Sequence, residues 1–324
     1  MVWHTQTYRF PSLPAVRMVY PLYPSAAAAV EAIQQHRALE WERSKNLPAW
    51  LTFVCGQEVA EDLPPYARTP MVYRGQSDPS WPLMPTLYRT PQSGEDLQSE
   101  LRSRRAQHAR VTASIFENPM IEAAIPGASD LSDLQKEAVA RHYGAPSGLL
   151  DVTCEPEVAA VFAAKASTES EVGYIYAINL VELLSLAGAS TSGRIRGGYQ
   201  LALWPAGVTE IRYLAPNPPD PPTEETAIIR FAAETWKRVR MTFSLVGVQN
   251  VARINAQKGV FIAMLETGGG PQARDMWHLL DIVSQKYFFR HTVDGYTPDN
   301  SDFCEDNLLP LNDPIAHMGC EDPD

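Results

Sequence analysis

The stretch Val72-Tyr73-Arg74-Gly75-Gln76-Ser77-Asp78, followed by Trp81, Leu83, Pro85, Thr86, Leu87 and Arg89, constrains the chain more than any other. Met71, Val72 and Tyr73 are apolar and β-forming, so they read as the end of a strand. Gly75 lets the backbone turn sharply or approach a ligand closely, which would aim the Arg74 guanidinium out of a rigid element into a cleft. Anion sites are commonly built this way. An arginine at a strand end also makes ordinary surface salt bridges, and this block alone leaves both readings open.

Composition narrows the classes. A chain of 324 residues with 45% hydrophobic residues can bury a substantial core, in one large or two small domains. Its net charge of −11 opposes nucleic acid unless a local basic patch overrides it. Two such runs exist, Arg102, Arg104, Arg105 and Arg110, and Lys237, Arg238 and Arg240; both fall on expected helices, where basic residues mark a solvated face. The four cysteines, Cys55, Cys154, Cys304 and Cys320, form no Cys-x-x-Cys pair, so no metal site is expected. The amino terminus has no basic region followed by an apolar core, and no apolar run reaches the ~18 residues needed to span a bilayer. The expected location is cytoplasmic, with no membrane partner.

Three regions are expected. Residues 1–65 hold a proline-rich extended arm and a helix over 25–43 capped by Ser25. Residues 66–267 form the core domain, with a long loop or insertion at about 184–226 and a helix at 227–240. Residues 268–324 add a helix around 276–287 and a loosely ordered acidic tail from 299.

Within the core, helices are expected at 96–115 and 131–143. The second stops at Gly144 and places His142 in its last turn, where a helix carboxyl end favours a charged imidazole. His142 is therefore expected either to be protonated near neutral pH or simply to satisfy terminal carbonyls. Thr153 is the best cap for the next helix, which opens with Glu155-Pro156-Glu157, and Asp151 is either a second capping residue or a site group. Farther on, Asn250, Arg253 and Gln257 fall within about 60° of one another on a helix, giving it one polar face before Gly259 turns the chain into a strand.

No nucleophile stands out. Ser147 sits in no Gly-x-Ser-x-Gly elbow, and Glu155 and Glu157 oppose any activation of Cys154. The chain lacks a Walker loop and a dinucleotide-binding Gly-x-Gly-x-x-Gly, so hydrolase and kinase chemistry is not expected.

Three blocks carry a resemblance. The Tyr73-Arg74-Gly75 block comes first. The second is Arg141-His142-Tyr143-Gly144-Ala145-Pro146-Ser147-Gly148-Leu149-Leu150-Asp151-Val152-Thr153, continuing to Val161-Phe162-Ala163, and the third is Asn250 through Gln257-Lys258-Gly259-Val260-Phe261. In this order they resemble the FRG domain family, named for its Phe/Tyr-Arg-Gly motif, over roughly residues 66–262. The family usually has Gln at the place of Arg141, Thr-Arg at Ser147-Gly148 and Trp at Val152. Such domains occur mainly in bacteria and phages, which implies a toxin or phage-defence role.

A looser resemblance is to ADP-ribosyltransferases of the Arg-Ser-Glu type. It implies an α+β fold, a mostly antiparallel split sheet flanked by helices, gripping NAD as substrate. Arg74 would match the first-strand arginine and Ser147 the second-motif hydroxyl, while Gln257 stands where that class has a glutamate. Cleaving the nicotinamide bond leaves a cationic ribose, so an arginine on phosphate, an aromatic ring and acceptors on ribose hydroxyls would suffice. On this reading Arg74, Asp151 and Gln257 are catalytic, and Tyr73, Gly75, His142, Tyr143, Ser147, Thr153 and Arg253 bind NAD. Glu266 is a further acidic candidate to complete the site. The implied activity is transfer of ADP-ribose to a macromolecular acceptor. A non-catalytic nucleotide- or ligand-sensing module and a nucleic-acid-targeting effector are the alternatives.

Overall fold

The computed structural model describes residues 2–8, 16–43, 66, 71–89, 96–165, 170–179, 189–195, 198–203, 241–266, 277, 280–281, 284–309, 313–316 and 318. The protein is α+β. Its strands are β1 (Val2–Tyr8), β2 (Val16–Tyr23), β3 (Met71–Gln76), β4 (Leu150–Thr153), β5 (Val172–Asn179), β6 (Ala189–Ile195), β7 (Gly198–Leu203), β8 (Met241–Val248), β9 (Gly259–Glu266) and β10 (Gln285–Arg290). They form one ten-stranded sheet in the order β1-β2-β10-β5-β3-β4-β9-β8-β7-β6. Only the β2/β10 neighbours run parallel. The helices are α1 (Ala26–Arg43), α2 (Leu97–Phe116), α3 (Ile121–Ala124), α4 (Asp133–His142), α5 (Pro156–Ala163), α6 (Ala252–Ala256) and α7 (Glu305–Leu308).

The sheet is narrowly joined at its middle. β3 shares six residue pairs with β5, and β4 shares four with β9, but β3 and β4 meet through Tyr73 and Thr153 alone. Two strands that splay after one pair leave backbone groups and side chains facing a gap instead of a ladder. A separate core supports each side of this seam. One joins Ala29, Val30 and Ile33 of α1 and Ala159, Ala160 and Ala163 of α5 to Met71, Tyr73, Ile175 and Phe289 of the sheet. The other joins Ile115, Ala138, Val139 and Ile254 of the helices to Val246, Val248, Phe261 and Ala263. Each fully buried Ile or Phe in these clusters contributes about 1.5–3 kcal/mol relative to an exposed one.

Local chemistry sets the helices that reach the seam. Ser132 and Gln135 form a reciprocal capping box at the start of α4, and the Gln135 amide also donates to the Gly247 carbonyl of β8 at 3.3 Å. Gly144, with φ of 93°, lets the chain leave α4 in the left-handed region. Pro156 opens α5, where a missing N–H costs nothing. Ser25 caps α1, its Oγ accepting from the Ala28 N–H at 3.3 Å.

Several expectations are corrected. β3 runs on through Arg74 and Gly75 to Gln76, so there is no turn at Gly75. The expected loop at 184–226 contains the β6/β7 hairpin; its Ser and Gly residues are weak strand formers and break the apolar alternation that would signal strand pairing. The helix expected to reach Tyr287 gives way to β10, where Lys286, Phe288 and Phe289 are buried between β2 and β5. The acidic tail is not loose among its described residues: Phe303, Leu308, Asp313 and Ile315 are buried. The first and last regions of the chain thus lend strands to the sheet of the core region. The helix expected at 227–240, with Lys237, Arg238 and Arg240, and Cys55 and Cys320 lie outside the described residues. Among the described residues no helix is long and apolar enough to cross a membrane.

Candidate functional site

A cavity of about 230 Å³ opens at the β3/β4 seam. It is lined by Tyr73, Arg74 and Gly75 of β3, Asp151, Val152 and Thr153 of β4, Arg141 and His142 of α4, Val158, Ala159 and Phe162 of α5, and Arg253, Gln257 and Gly259 around α6. All three sequence blocks therefore converge there. Eight of the ten expected site residues line it: Tyr73, Arg74, Gly75, His142, Asp151, Thr153, Arg253 and Gln257.

Arg74 closes the gap that the backbone leaves. Its Nη1 donates to the Asp151 carbonyl at 2.6 Å and to Asp151 Oδ1 at 2.7 Å, so one side chain ties the two strands where the ladder stops. Arg141 Nη2 donates to the same Oδ1 at 3.1 Å. Burial alone would raise the Asp151 pKa, but the Arg141 and Arg74 guanidiniums override it and hold the carboxyl well below the usual carboxylate range. Its side chain keeps 36% of its surface open towards the cavity, and Oδ2 has no partner among the described residues.

The histidine is neutral. His142 packs edge-on against Phe261, with centroids 5.2 Å apart, and is half-buried. Burial, with Arg253 and Arg141 adding to it against the pull of Asp151, drops its pKa to about 3. The carboxyl end of α4 is too weak a partner to offset this, so of the two readings of His142 the charged imidazole is the one disfavoured.

The cavity is instead cationic through arginine. Arg74, Arg141 and Arg253 all line it, and each has a buried Nε with no hydrogen-bond partner among the described residues. Arg253 lies over the Tyr143 ring, its Cζ 5.6 Å from the centroid. Behind them Arg89 donates through Nε to the Met84 carbonyl at 3.2 Å. Burial first, then Arg74 and Arg141, lower the Arg89 pKa to about 10, a sign of how much positive charge this region collects.

Gln257 and Thr153 fix each other. Thr153 Oγ1 donates to the Gln257 carbonyl at 2.7 Å and accepts from the Glu155 N–H at 3.1 Å, so it serves the entry to α5 from two residues before the cap position, which is Glu155. The Gln257 amide donates to the Leu308 carbonyl at 2.9 Å.

Two expected ligand contacts lie elsewhere. The Tyr143 hydroxyl donates to Asp313 Oδ2 at 2.7 Å, and the ring serves as a platform beneath Arg253. Ser147 is buried; its hydroxyl donates to Glu137 Oε1 and accepts from the Leu149 N–H, both at 2.8 Å, so it organises the turn before β4. Gly75 lines the cavity, but its missing side chain makes room for α5. Asn250 falls outside the short α6, in a left-handed conformation at φ 63°, and does not join Arg253 and Gln257 at the cavity. Glu266 ends β9, the opposite end from Gly259, roughly 20–25 Å along the strand, and so does not complete the site.

The expected site residues left out Phe162 and the Leu308 carbonyl, and Arg141 was noted only as a departure from the family pattern. Arg141 had a signal, its place beside His142 in the last turn before Gly144. The main-chain carbonyl of Leu308 had none. The basic run on α2 is only partly a solvated face: Arg102, Arg105 and Arg110 are exposed, whereas Arg104 turns inward onto Glu100 at 2.8 Å and the Thr86 and Arg89 carbonyls at 2.7 and 2.8 Å. Among the described residues no group of three His, Cys, Asp or Glu side chains is placed to hold a metal ion.

Comparison with known proteins finds that residues 69–171 match the model of the FRG domain family. The matched segment takes in β3, α2 to α5, β4 and the approach to β5, whereas Arg253, Gln257 and Leu308 lie beyond it. Neither a curated protein nor a solved structure matches the chain.

Proposed function

We propose that the cavity at the β3/β4 seam binds a small phosphate-bearing ligand, with a nucleotide such as NAD the leading candidate, and that the protein works as a nucleotide-recognising module. The observation that supports this most is the charge balance: Arg74, Arg141 and Arg253 share a cavity with one carboxylate, Asp151, and a neutral His142. An excess of guanidinium in a molecule of net charge −11 suits a phosphate, which planar donors bind in pairs. The volume of about 230 Å³ falls below the roughly 300–1,000 Å³ of typical small-molecule sites, so the cavity would hold a phosphate and its sugar while the rest of a dinucleotide lay outside. Val158, Ala159 and Phe162 supply an apolar wall for the sugar or a ring.

A second reading is glycosyl transfer from NAD to a macromolecular acceptor, as in a bacterial toxin or phage-defence effector. It is supported by Asp151, whose open Oδ2 would face a ribosyl cation. Against it, two guanidiniums neutralise that carboxylate, and Gln257 brings no charge.

Calorimetric titration with NAD, followed by mass analysis for nicotinamide, tests both readings. Binding of an intact dinucleotide, weakened about ten- to hundredfold by Arg74→Ala, is the expected result. Released nicotinamide would favour the transferase. Failure of NAD, ADP-ribose and inorganic phosphate all to bind would remove the anion site.

A further inference from the structure

What stands beside the phosphate can be read from Gln257, an inference that rests on the phosphate-binding reading above. This residue ends α6, is buried, and is held on three sides. Its N–H donates to the Arg253 carbonyl at 3.1 Å, its carbonyl accepts from Thr153 Oγ1 at 2.7 Å, and its side-chain Nε2 donates to the Leu308 carbonyl at 2.9 Å. The last contact decides which way the amide points. A main-chain carbonyl can only accept, so the nitrogen must face Leu308 and Oε1 must face away from it. Oε1 has no partner among the described residues, and Gln257 lines the cavity.

The group that sets this orientation is itself anchored. Leu308 is fully buried against Val158, Val161 and Phe303, and Glu305 of the same helix pairs with Lys165 at 2.5 Å. α7 is thereby fixed to α5, the helix that gives the cavity its apolar wall.

We infer that the Leu308 carbonyl is a positioning group that makes Gln257 present an acceptor to the cavity, so that the site selects a ligand carrying a hydroxyl next to its phosphate, as a sugar phosphate does. Arg253 and Gln257 are four residues apart and lie one helical turn from each other, which sets a guanidinium and an acceptor side by side. A phosphate oxygen against Oε1 would be repelled and a hydroxyl would donate to it. The pair therefore reads two chemically different neighbours on one ligand.

The test is calorimetric titration of the full chain with ribose 5-phosphate, its 2,3-dideoxy analogue and inorganic phosphate, for the wild type and Gln257→Met, with amide exchange measured at Leu308 and Leu309. The wild type should prefer ribose 5-phosphate over the dideoxy analogue roughly tenfold. Gln257→Met should lose that preference and exchange faster at Leu308 and Leu309 without any ligand. Gln257→Glu is the companion variant: its carboxylate cannot donate to Leu308, so exchange should again rise, while a retained acceptor keeps the sugar preference and the added charge weakens every phosphate. Equal wild-type affinity for both sugars, with inorganic phosphate still binding, overturns the hydroxyl selection and leaves the phosphate site standing. Unchanged exchange in both variants overturns the role of Leu308. No binding of inorganic phosphate or either sugar overturns the phosphate-binding reading, and this inference with it.

Discussion

A Cβ on Gly75 would sit 1.8 Å from the Ala159 carbonyl oxygen, so the glycine of the Tyr73-Arg74-Gly75 block is where α5 presses onto β3. No side chain fits there, and the obstacle is backbone, which cannot rotate aside. Gly75→Ala should therefore push α5 off the sheet at a cost of about 3 kcal/mol or more. Thermal melting followed by circular dichroism checks it. A variant as stable as the wild type would mean that α5 is not seated on β3 in this way.

Asp151 separates the two functional readings because it is the one carboxylate among the cavity-lining residues. Asp151→Asn removes the charge that Arg74 and Arg141 share, leaving three guanidiniums without a counter-ion. Stability should fall, since uncompensated buried charge is costly, while phosphate should bind more tightly than in the wild type. A transferase would show the opposite functional sign, slower release of nicotinamide. Weaker phosphate binding in a folded Asp151→Asn protein would count against the charge-excess argument.

His142 gives the protein a pH dependence whose sign follows from its lowered pKa. The folded state holds the imidazole neutral down to a pKa of about 3, whereas an unfolded histidine takes a proton near its ordinary 6.5. Between those values the unfolded chain binds the extra proton, so stability is complete above about pH 6.5 and declines as pH falls, by at most about 1.4 kcal/mol per unit. Asp151 adds little slope between about pH 5 and 6.5, because its depressed pKa keeps it charged in the fold and an unfolded Asp is also ionised there; its own contribution is lost only at lower pH, as the unfolded Asp protonates near pH 4. Denaturant midpoints at pH 7.5, 6 and 5 should drift down for the wild type and drift less for His142→Phe. Equal drift would show that other groups carry the effect.

Convergence of the site was legible in the sequence because its chemistry sits in short blocks. Arg141 to Thr153 spans a helix end, a turn and a strand, and Arg253 and Gln257 are spaced by one helical turn. What sequence could not show are contacts made by atoms every residue has. The Leu308 carbonyl on Gln257 and the Ala159 carbonyl under Gly75 carry no side-chain signature. Long-range insertion was equally hidden: β10 enters between β2 and β5 from the far end of the chain, and its aromatic run read as the tail of a helix. Which of the two readings of His142 holds was hidden for a related reason, because a helix end is visible in sequence and the burial that outweighs it is not.

Tyr143 and Ser147 offer the control for these arguments, since the sequence placed both at the ligand and the structure bonds both to protein. The Tyr143 hydroxyl holds Asp313, whose Oδ1 also accepts from the Ile315 N–H at 3.1 Å, so this pair fastens the end of the chain to α4. Removing the hydroxyl in Tyr143→Phe leaves a buried carboxylate oxygen unpaired, a loss of about 1–3 kcal/mol. Ser147→Ala should lose a similar amount, because it leaves Glu137 and the Leu149 N–H without the hydroxyl between them. Neither change removes an atom from the cavity lining, and the Tyr143→Phe ring still lies beneath Arg253. Both variants should therefore melt earlier yet bind inorganic phosphate within about threefold of the wild type, well short of the loss expected for Arg74→Ala. A tenfold loss of phosphate affinity in folded Ser147→Ala would return that hydroxyl to the ligand and require the turn before β4 to open towards the cavity.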